Sequence, residues 1–271
     1  MVMAHMFHAA GYDCAMAHGN FQLRGDESEG DEAFVRELAS SLEMPVYVNR
    51  FEVDKVAKEK GISIQMAARE LRYDWFRELL LEESLDLLAT AHNKNDSVET
   101  FFLNLSRGSG IRGLKGIAPR RGQIIRPMLF ATRQEIESFR QEEGITYRED
   151  ASNFETKYLR NKIRHDVIPV MEQLNPGFVE SMCRSMDQVG EMYLIYEDTL
   201  EQKRSVLFEE HQGRIIIDLR ELARLHPLKT WLYELFSPFG FSRSQCEGIE
   251  KIMEAESGRR SISPSHQLYK D

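Results

Sequence analysis

Cysteine is scarce in this chain of 271 residues, and Cys14, Cys183 and Cys246 stand far apart. No C-x-x-C pair occurs, so neither a zinc ribbon nor an obvious iron–sulfur site is encoded. Widely spaced single cysteines fit a reducing cytoplasm. Long apolar runs are also missing. None approaches the roughly 20 residues of a membrane-spanning helix, so no membrane partner is expected. The opening MVMAHMFHAAG lacks a basic start, a long apolar stretch and a small-residue cleavage site, and does not read as a secretory signal. Internal repeats and low-complexity tracts are absent. Acidic residues are missing locally. The net charge is −9, yet no Asp or Glu falls between Glu99 and Glu135, a window holding Arg107, Arg112, Lys115, Arg120, Arg121, Arg126 and Arg133. A second acid-free window follows Glu155, with Lys157, Arg160, Lys162, Arg164 and His165. Such stripes can hold a polyanion on an acidic protein, because screening keeps electrostatic contacts local. A solvated face is the plainer reading of a charge run.

What is present supports a folded α/β protein. Hydrophobic residues make up 42% and charged residues 29%, enough for a core. Spacing predicts a short helix over 2–10, a buried strand over 12–17 ending at His18, and a helix capped by Ser28 running to about 43. A second strand is expected over 44–49, a helix over 51–60 stopped by Gly61, and a longer helix capped by Ser63. Its inner face reads Ile64, Ala67, Ala68, Leu71, Trp75 and Leu79. Arg69 and Arg72 fall near each other on another face, either as ordinary surface arginines or as a cationic patch. A third strand is expected over 85–91 and a short one over 122–127. A helix follows over 133–144. Strands alternating with helices predict a doubly wound parallel sheet. After Asn175 the pattern turns helical, with a long helix to about 210, a strand over 214–218 and helices around 221–236 and 243–256. These readings place a catalytic domain over 1–175 and a mainly helical domain over 176–271.

The stretch Ala89–Ile117 concentrates chemistry. It passes from strand to a polar turn at His92–Asp96, into a helix over 97–106, then into a glycine-broken basic loop. It offers an imidazole, two carboxylates, four cations and four glycines, a set that suits phosphates and a metal. Arg107 with Gly108 and Gly110 suits close backbone approach to an anion. Plainer roles exist as well: Asp96 could be an N-cap, and Glu99 a first-turn carboxylate favoured by the helix dipole.

Five separated segments, HGNFQLRGDES, ARELRYDWF, AHNKNDSVETFFLNLSRGSGIRGLKGI, IIRPML and EDASNFETKYLRNKIRHDVIPVMEQLNP, occur in one order across residues 1–180. Together they resemble the tRNA(Ile)-lysidine synthetase family of PP-loop (N-type) ATP pyrophosphatases. The resemblance implies a Rossmann-like PP-loop domain that uses ATP and Mg2+ to adenylate C2 of the wobble cytidine of tRNA(Ile) with a CAU anticodon. The ε-amine of free L-lysine then displaces AMP. It implies roles for His92 toward phosphate or base, for Asp96 and Glu99 toward magnesium or the lysine amine, with Asp96 the metal candidate, and for Arg107 toward an anion. His18, Arg24, Arg69, Gly108 and Gly110 would lie near the nucleotide. Arg72, Arg112, Lys115, Arg160 and Arg164 would meet the tRNA, although Arg160 and Arg164 suit an intramolecular ion pair equally. Asp150, Asn153 and Asn161 complete the last motif, the first two suiting a loop closed by side-chain-to-backbone hydrogen bonds.

Three departures stand out. Where the family often reads AHHxDDQxET, this chain has Asn93, Asn95 and Ser97, which puts a two-carboxylate cradle at 95/96 in doubt. The family's SGGxDS phosphate loop does not occur, and MVMAHMF resembles the helix after it. SGRRSISPSHQLYKD resembles the start of a hairpin. The expectation is a piece of the synthetase, cut at both ends, with negligible lysidine-forming activity alone and a helical spacer after 180. A thiolation enzyme of the same superfamily and a non-catalytic tRNA-binding module are the competing readings. Oligomeric state stays open, a homodimer being one option.

Overall fold

The structure, a computed structural model, describes residues 1–148 and 159–271. Asp150 and Asn153 lie outside the described residues. Cα proximity divides the chain into two compact units, Met1–Val189 and Gly190–Asp271. The expected boundary at 175/176 falls earlier, where the composition changes. The division instead lies inside a continuous helix, Phe178–Leu207.

The first unit runs α1 (Val2–Ala9), β1 (Met16–Asn20), α2 (Asp26–Ser41), β2 (Val46–Arg50), α3 (Val53–Lys60), α4 (Ile64–Glu82), β3 (Leu88–Ala89), α5 (Lys94–Ser106), α6 (Ile111–Leu114), β4 (Arg120–Arg121), β5 (Ile124–Ile125) and α7 (Arg133–Glu142). Beyond the undescribed stretch come α8 (Leu159–Lys162), a π-helical turn over Ile163–Val167, α9 (Ile168–Leu174) and the start of α10 (Phe178–Leu207). The expected parallel α/β pairing is present: β1 pairs parallel with β2, and β3 parallel with β5. These pairs belong to two sheets among the described residues, and β4 adds antiparallel to β5.

Several boundaries move, for local reasons. The strand expected over 12–17 lies over Met16–Asn20, so His18 is inside the strand, opposite Val48, and not at its end. Ser28 does not cap α2. Gly25, at φ +51°, is the cap, and Ser28 accepts a hydrogen bond from the Arg24 N–H at 3.3 Å. Ser63 does cap α4, accepting from the Met66 N–H at 3.2 Å, and Gly61 ends α3 in the left-handed region. Ala67, Ala68 and Leu79 are buried as expected, but Ile64, in the first turn of α4, is exposed. Phe51, Val53, Ala57, Ala67 and Ala68 form that core, with Phe51 stacked on Phe21 at 5.3 Å.

At the far end of β1, Glu32 gathers three elements. Its Oε2 accepts from Asn20 Nδ2 and Arg50 Nε, both at 3.0 Å, and its Oε1 accepts from Arg36 Nε at 3.1 Å and Nη2 at 3.0 Å. The Asn20 hydrogen bond first, then Arg50 and Arg36, hold its carboxyl down to about 2 against the opposing effect of burial.

Gly116 closes the loop after α6. It sits at φ +69°, and a Cβ there would collide with Ser97 Oγ and reach 2.9 Å from Met186 Sδ. Ser97 Oγ is committed, accepting the Ile117 N–H at 2.9 Å. Gly116→Ala therefore adds backbone strain to overpacking. The expected cost is about 2–3 kcal/mol, read as a lowered urea midpoint with unchanged slope. A loss under about 0.5 kcal/mol would mean the loop moves freely.

In the second unit, the rest of α10 leads to a hairpin of β6 (Phe208–His211) and β7 (Arg214–Ile217), then α11 (Leu219–Ala223), α12 (Leu228–Phe236), α13 (Arg243–Glu254) and a hairpin of β8 (Arg260–Ile262) with β9 (Gln267–Tyr269). Residues 208–210, expected at the end of the long helix, belong to strand β6 because they pair with β7. The core is Leu207, Leu222, Leu232, Leu235, Phe236, Phe241, Cys246 and Ile249. No helix among the described residues is long and apolar enough to cross a membrane.

Candidate active site

The site begins where β3 ends. Helix α5 starts at Lys94 and not at Ser97, because Asn93 and Asp96 form a reciprocal cap. Asn93 Oδ1 accepts the Asp96 N–H at 3.1 Å, and Asp96 Oδ2 accepts the Asn93 N–H at 3.0 Å. Asp96 is thus the third residue of a capping box, and Asn93 is the N-cap. One oxygen of Asp96 is spent on this. Oδ1 stands 3.7 Å from Arg164 Nη2.

One turn on, Glu99 is completely buried. Arg164 binds it through both carboxylate oxygens, Nε to Oε1 at 2.7 Å and Nη2 to Oε2 at 3.0 Å. Arg160 Nε and Arg133 Nη2 each stand 3.5 Å from it. Arg160 also donates from Nη2 to Thr100 Oγ1 at 2.8 Å, and Thr100 donates to the Asp96 carbonyl at 2.8 Å. Burial alone lowers the Arg164 pKa, but hydrogen bonding and charge from Glu99, with the charge of Asp96, outweigh it and raise the net value. Both arginines expected to face either tRNA or an internal acid thus bind an internal acid.

His92 lies beside this network, with Nδ1 3.0 Å from Thr90 Oγ1. Burial lowers its pKa first; Asp96 raises it, while Arg126, Arg160 and Arg69 lower it further, leaving a neutral ring at pH 7. Among the described residues, the guanidiniums of Arg133, Arg160 and Arg164 reach the Glu99 carboxylate, Arg164 also stands near Asp96, and Arg69 and Arg126 act electrostatically on the neighbouring His92. Five cations against two anions leave a centre that favours an anionic ligand.

Other expected residues fall elsewhere. Arg107 follows the last turn of α5 and Gly108 comes next at φ +69°. Gly110 caps α6. At ~1.5 Å per residue, that end of α5 is about 16 Å from Asp96 along the axis. The 89–117 stretch therefore supplies two separated places, not one concave site. Arg112 lies on α6, and after Lys115 the chain returns to the first turn of α5, where Ser97 Oγ accepts the Ile117 N–H. Arg24 is exposed in the turn before α2. His18 is in a different setting, where burial lowers its pKa, Glu32 and Asp31 raise it, and Arg72 and Arg36 lower it. Arg72 lies over the Phe21 ring at 4.8 Å and Arg69 over Tyr73 at 4.7 Å. Asn161 is buried in α8. A cavity of about 300 Å³ lined by Tyr73, Phe76, Leu80, Leu88 and Ile124 opens at the start of β3. It lies at the opposite end of that strand from His92.

The three residues that depart from the AHHxDDQxET motif have local work. Asn93 caps α5, Ser97 anchors Ile117, and Asn95 Oδ1 accepts the Arg133 N–H of α7 at 2.8 Å. No group of three or more His, Cys, Asp or Glu side chains able to hold a metal exists among the described residues. Two residues missing from the expected site belong to it: Arg126 and Arg133. Both lie in the acid-free window, whose length concealed which cations turn inward.

The chain is similar to known proteins over most of its length. The profile of the PP-loop domain family matches residues 1–171, and that of the TilS substrate binding domain matches residues 210–271. The chain is 37% identical over 271 residues to a tRNA(Ile)-lysidine synthase of Bacteroides thetaiotaomicron, covering 100% of this chain and 63% of the relative. It is 40% identical over 261 residues to one of Parabacteroides distasonis, covering 96% and 59%. The chain thus spans about three fifths of the length of these relatives. Among solved structures, the U34-tRNA thiolase NcsA from Methanococcus maripaludis with its [4Fe-4S] cluster aligns at a TM-score of 0.56 and 18% identity, over 70% of this chain and 68% of that one. That likeness bears on the fold alone.

Proposed function

Because this chain belongs to the PP-loop family, in which its curated relatives are tRNA(Ile)-lysidine synthases, we propose that it carries the cationic side of a lysidine-forming active site. In this reading ATP adenylates C2 of the wobble cytidine of a CAU-anticodon tRNA(Ile), and the ε-amine of free L-lysine displaces AMP. A cytoplasmic setting belongs to the same reading. The observation that carries it is the excess of guanidinium over carboxylate around a neutral His92.

The chemistry follows from charge. Attack on the α-phosphate builds negative charge on phosphoryl oxygens, and fixed cations lower its cost without reorganising. Arg160 and Arg164 are held in place by Glu99, so they are preorganised; Glu99 is a positioning residue. Neutral His92 can donate a hydrogen bond to phosphate or accept one from the lysine amine without adding charge. Asp96 retains Oδ1 as one hard oxygen donor, which fits a magnesium ion arriving with the triphosphate. The described residues do not build a cage for a resident ion. When bound, the metal would neutralise phosphate charge. Residues 210–271, expected as a spacer, match a substrate-binding family, and tRNA contact is proposed there. The exposed cations Arg107, Arg112 and Arg24, and the half-buried Lys115, suit backbone contacts to the same tRNA.

The test is ATP-dependent incorporation of labelled lysine into a CAU-anticodon tRNA(Ile) transcript by the natural protein carrying this chain. Incorporation should vanish with a UAU-anticodon transcript. No incorporation above a no-enzyme control would overturn the reading.

A further inference from the structure

Arg126 carries a charge that no described residue compensates. Its Nη1 donates to the Ala118 carbonyl at 2.6 Å, and its backbone N–H to the Pro119 carbonyl at 2.9 Å. Its Nε is buried and has no hydrogen-bond partner. No carboxylate pairs with it among the described residues, whereas Arg160 and Arg164 both reach Glu99. A buried N–H without a partner costs about 1–3 kcal/mol and calls for a ligand or a water.

The surroundings indicate which. Arg126 precedes Pro127, whose ring fixes the backbone where β5 turns into the short helical turn over Pro127–Phe130. The anchored Nη1 fixes the guanidinium as well. Arg126, Arg160 and Arg69 each act electrostatically on His92, and Arg160 is fixed next to Asp96 through Thr100. Water would satisfy Nε but would leave the charge uncompensated. A phosphoryl oxygen does both, and a guanidinium fork matches its geometry.

We propose that Arg126 is a phosphate-binding residue, its unpartnered Nε donating to a phosphoryl oxygen at the site that holds His92. The proposal deepens the lysidine reading, and rests on it only for the source of the phosphoryl group, which is either the nucleotide or the RNA backbone.

The experiment follows the ring carbon resonance of His92, assigned with a His92→Gln variant, in the 271-residue protein. Inorganic pyrophosphate is titrated in one arm, and an anticodon stem-loop RNA in the other. A saturable His92 shift is expected in at least one arm, and the arm that responds identifies the source. Arg126→Gln should weaken that binding at least tenfold, and Arg126→Lys at least threefold. Arg184→Gln, at an exposed position where the guanidinium binds Ser181, should leave it unchanged. If Arg126→Gln does not fold, the lysine variant alone decides. The proposal fails if neither titrant shifts His92 saturably, or if folded Arg126 variants bind as tightly as the wild type. In the second case Arg126 only clamps the Ala118–Pro119 loop. Lysine incorporation can fail while pyrophosphate still binds, so the two hypotheses fail separately.

Discussion

Glu99→Gln should cost about 3–5 kcal/mol, the range for removing one partner of a buried ion pair. The substitution keeps the shape of the side chain but leaves Arg164, only 17% exposed, without its bidentate acid. Arg160 and Arg133 lose the same counter-charge, though both reach water. Total stabilities of about 5–15 kcal/mol make this a large fraction. Urea denaturation followed by tryptophan fluorescence measures it. Arg164→Lys should not be tolerated, because an ammonium cannot reproduce the two parallel hydrogen bonds. A double variant, Glu99→Gln with Arg164→Met, should lose less than the sum of the two single losses, since it removes both buried charges. Additive losses, or a Glu99→Gln midpoint within about 0.5 kcal/mol of wild type, would show that the network does not position the arginines.

Acid should weaken the β1–α2–β2 junction before most of the chain. The Glu32 carboxyl is depressed from 4.5 to about 2 in the folded protein. A depressed folded value means the unfolded chain takes up the proton first. The stabilisation is therefore whole above about pH 4.5 and is lost as pH falls from there to about 2. Glu32→Gln removes this dependence along with the stabilisation itself. The loss at pH 7 should be about 2–3 kcal/mol, below the range for sealed pairs, because Arg36 and Arg50 are both 50% exposed and can rehydrate. Urea midpoints at pH 7, 5, 3.5 and 2.5 compare the two proteins. The wild-type advantage should shrink across the lower two values. An advantage that stays constant down to pH 2.5 would remove Glu32 as its source.

The two effects differ in kind. Glu99 fixes cations that a phosphate would meet, so its loss should reach binding as well as stability. Glu32 ties Arg36 and Arg50 to Asn20 at the end of β1, so it supports that strand and touches the proposed chemistry only through it.

Much of the fold was legible in the residues. Ser63 and Gly61 bracket α3 and α4 by local chemistry that needs no partner, and the structure keeps both. The helix over 133–144 was equally plain, since capping and periodicity agree. The start of α5 was misplaced because Asn93 caps as well as a serine does, and an Asn–Asp reciprocal cap looks like a polar turn when only spacing is read. The strand over 208–211 was hidden because its partner, β7, lies beyond a turn and a pairing leaves no local mark.

The same division runs through the site. The sequence by itself determined the family resemblance, the α/β class and the acid-free windows, because motif order, periodicity and charge spacing are properties of the chain. Which cations meet which acids was decided only by tertiary structure. Glu99 and Arg164 are 65 residues apart, and they form one bidentate pair because the helical run after residue 159 packs on α5. Arg107 lies close to Asp96 in sequence, yet a rigid helix rise of ~1.5 Å per residue holds it about 16 Å away.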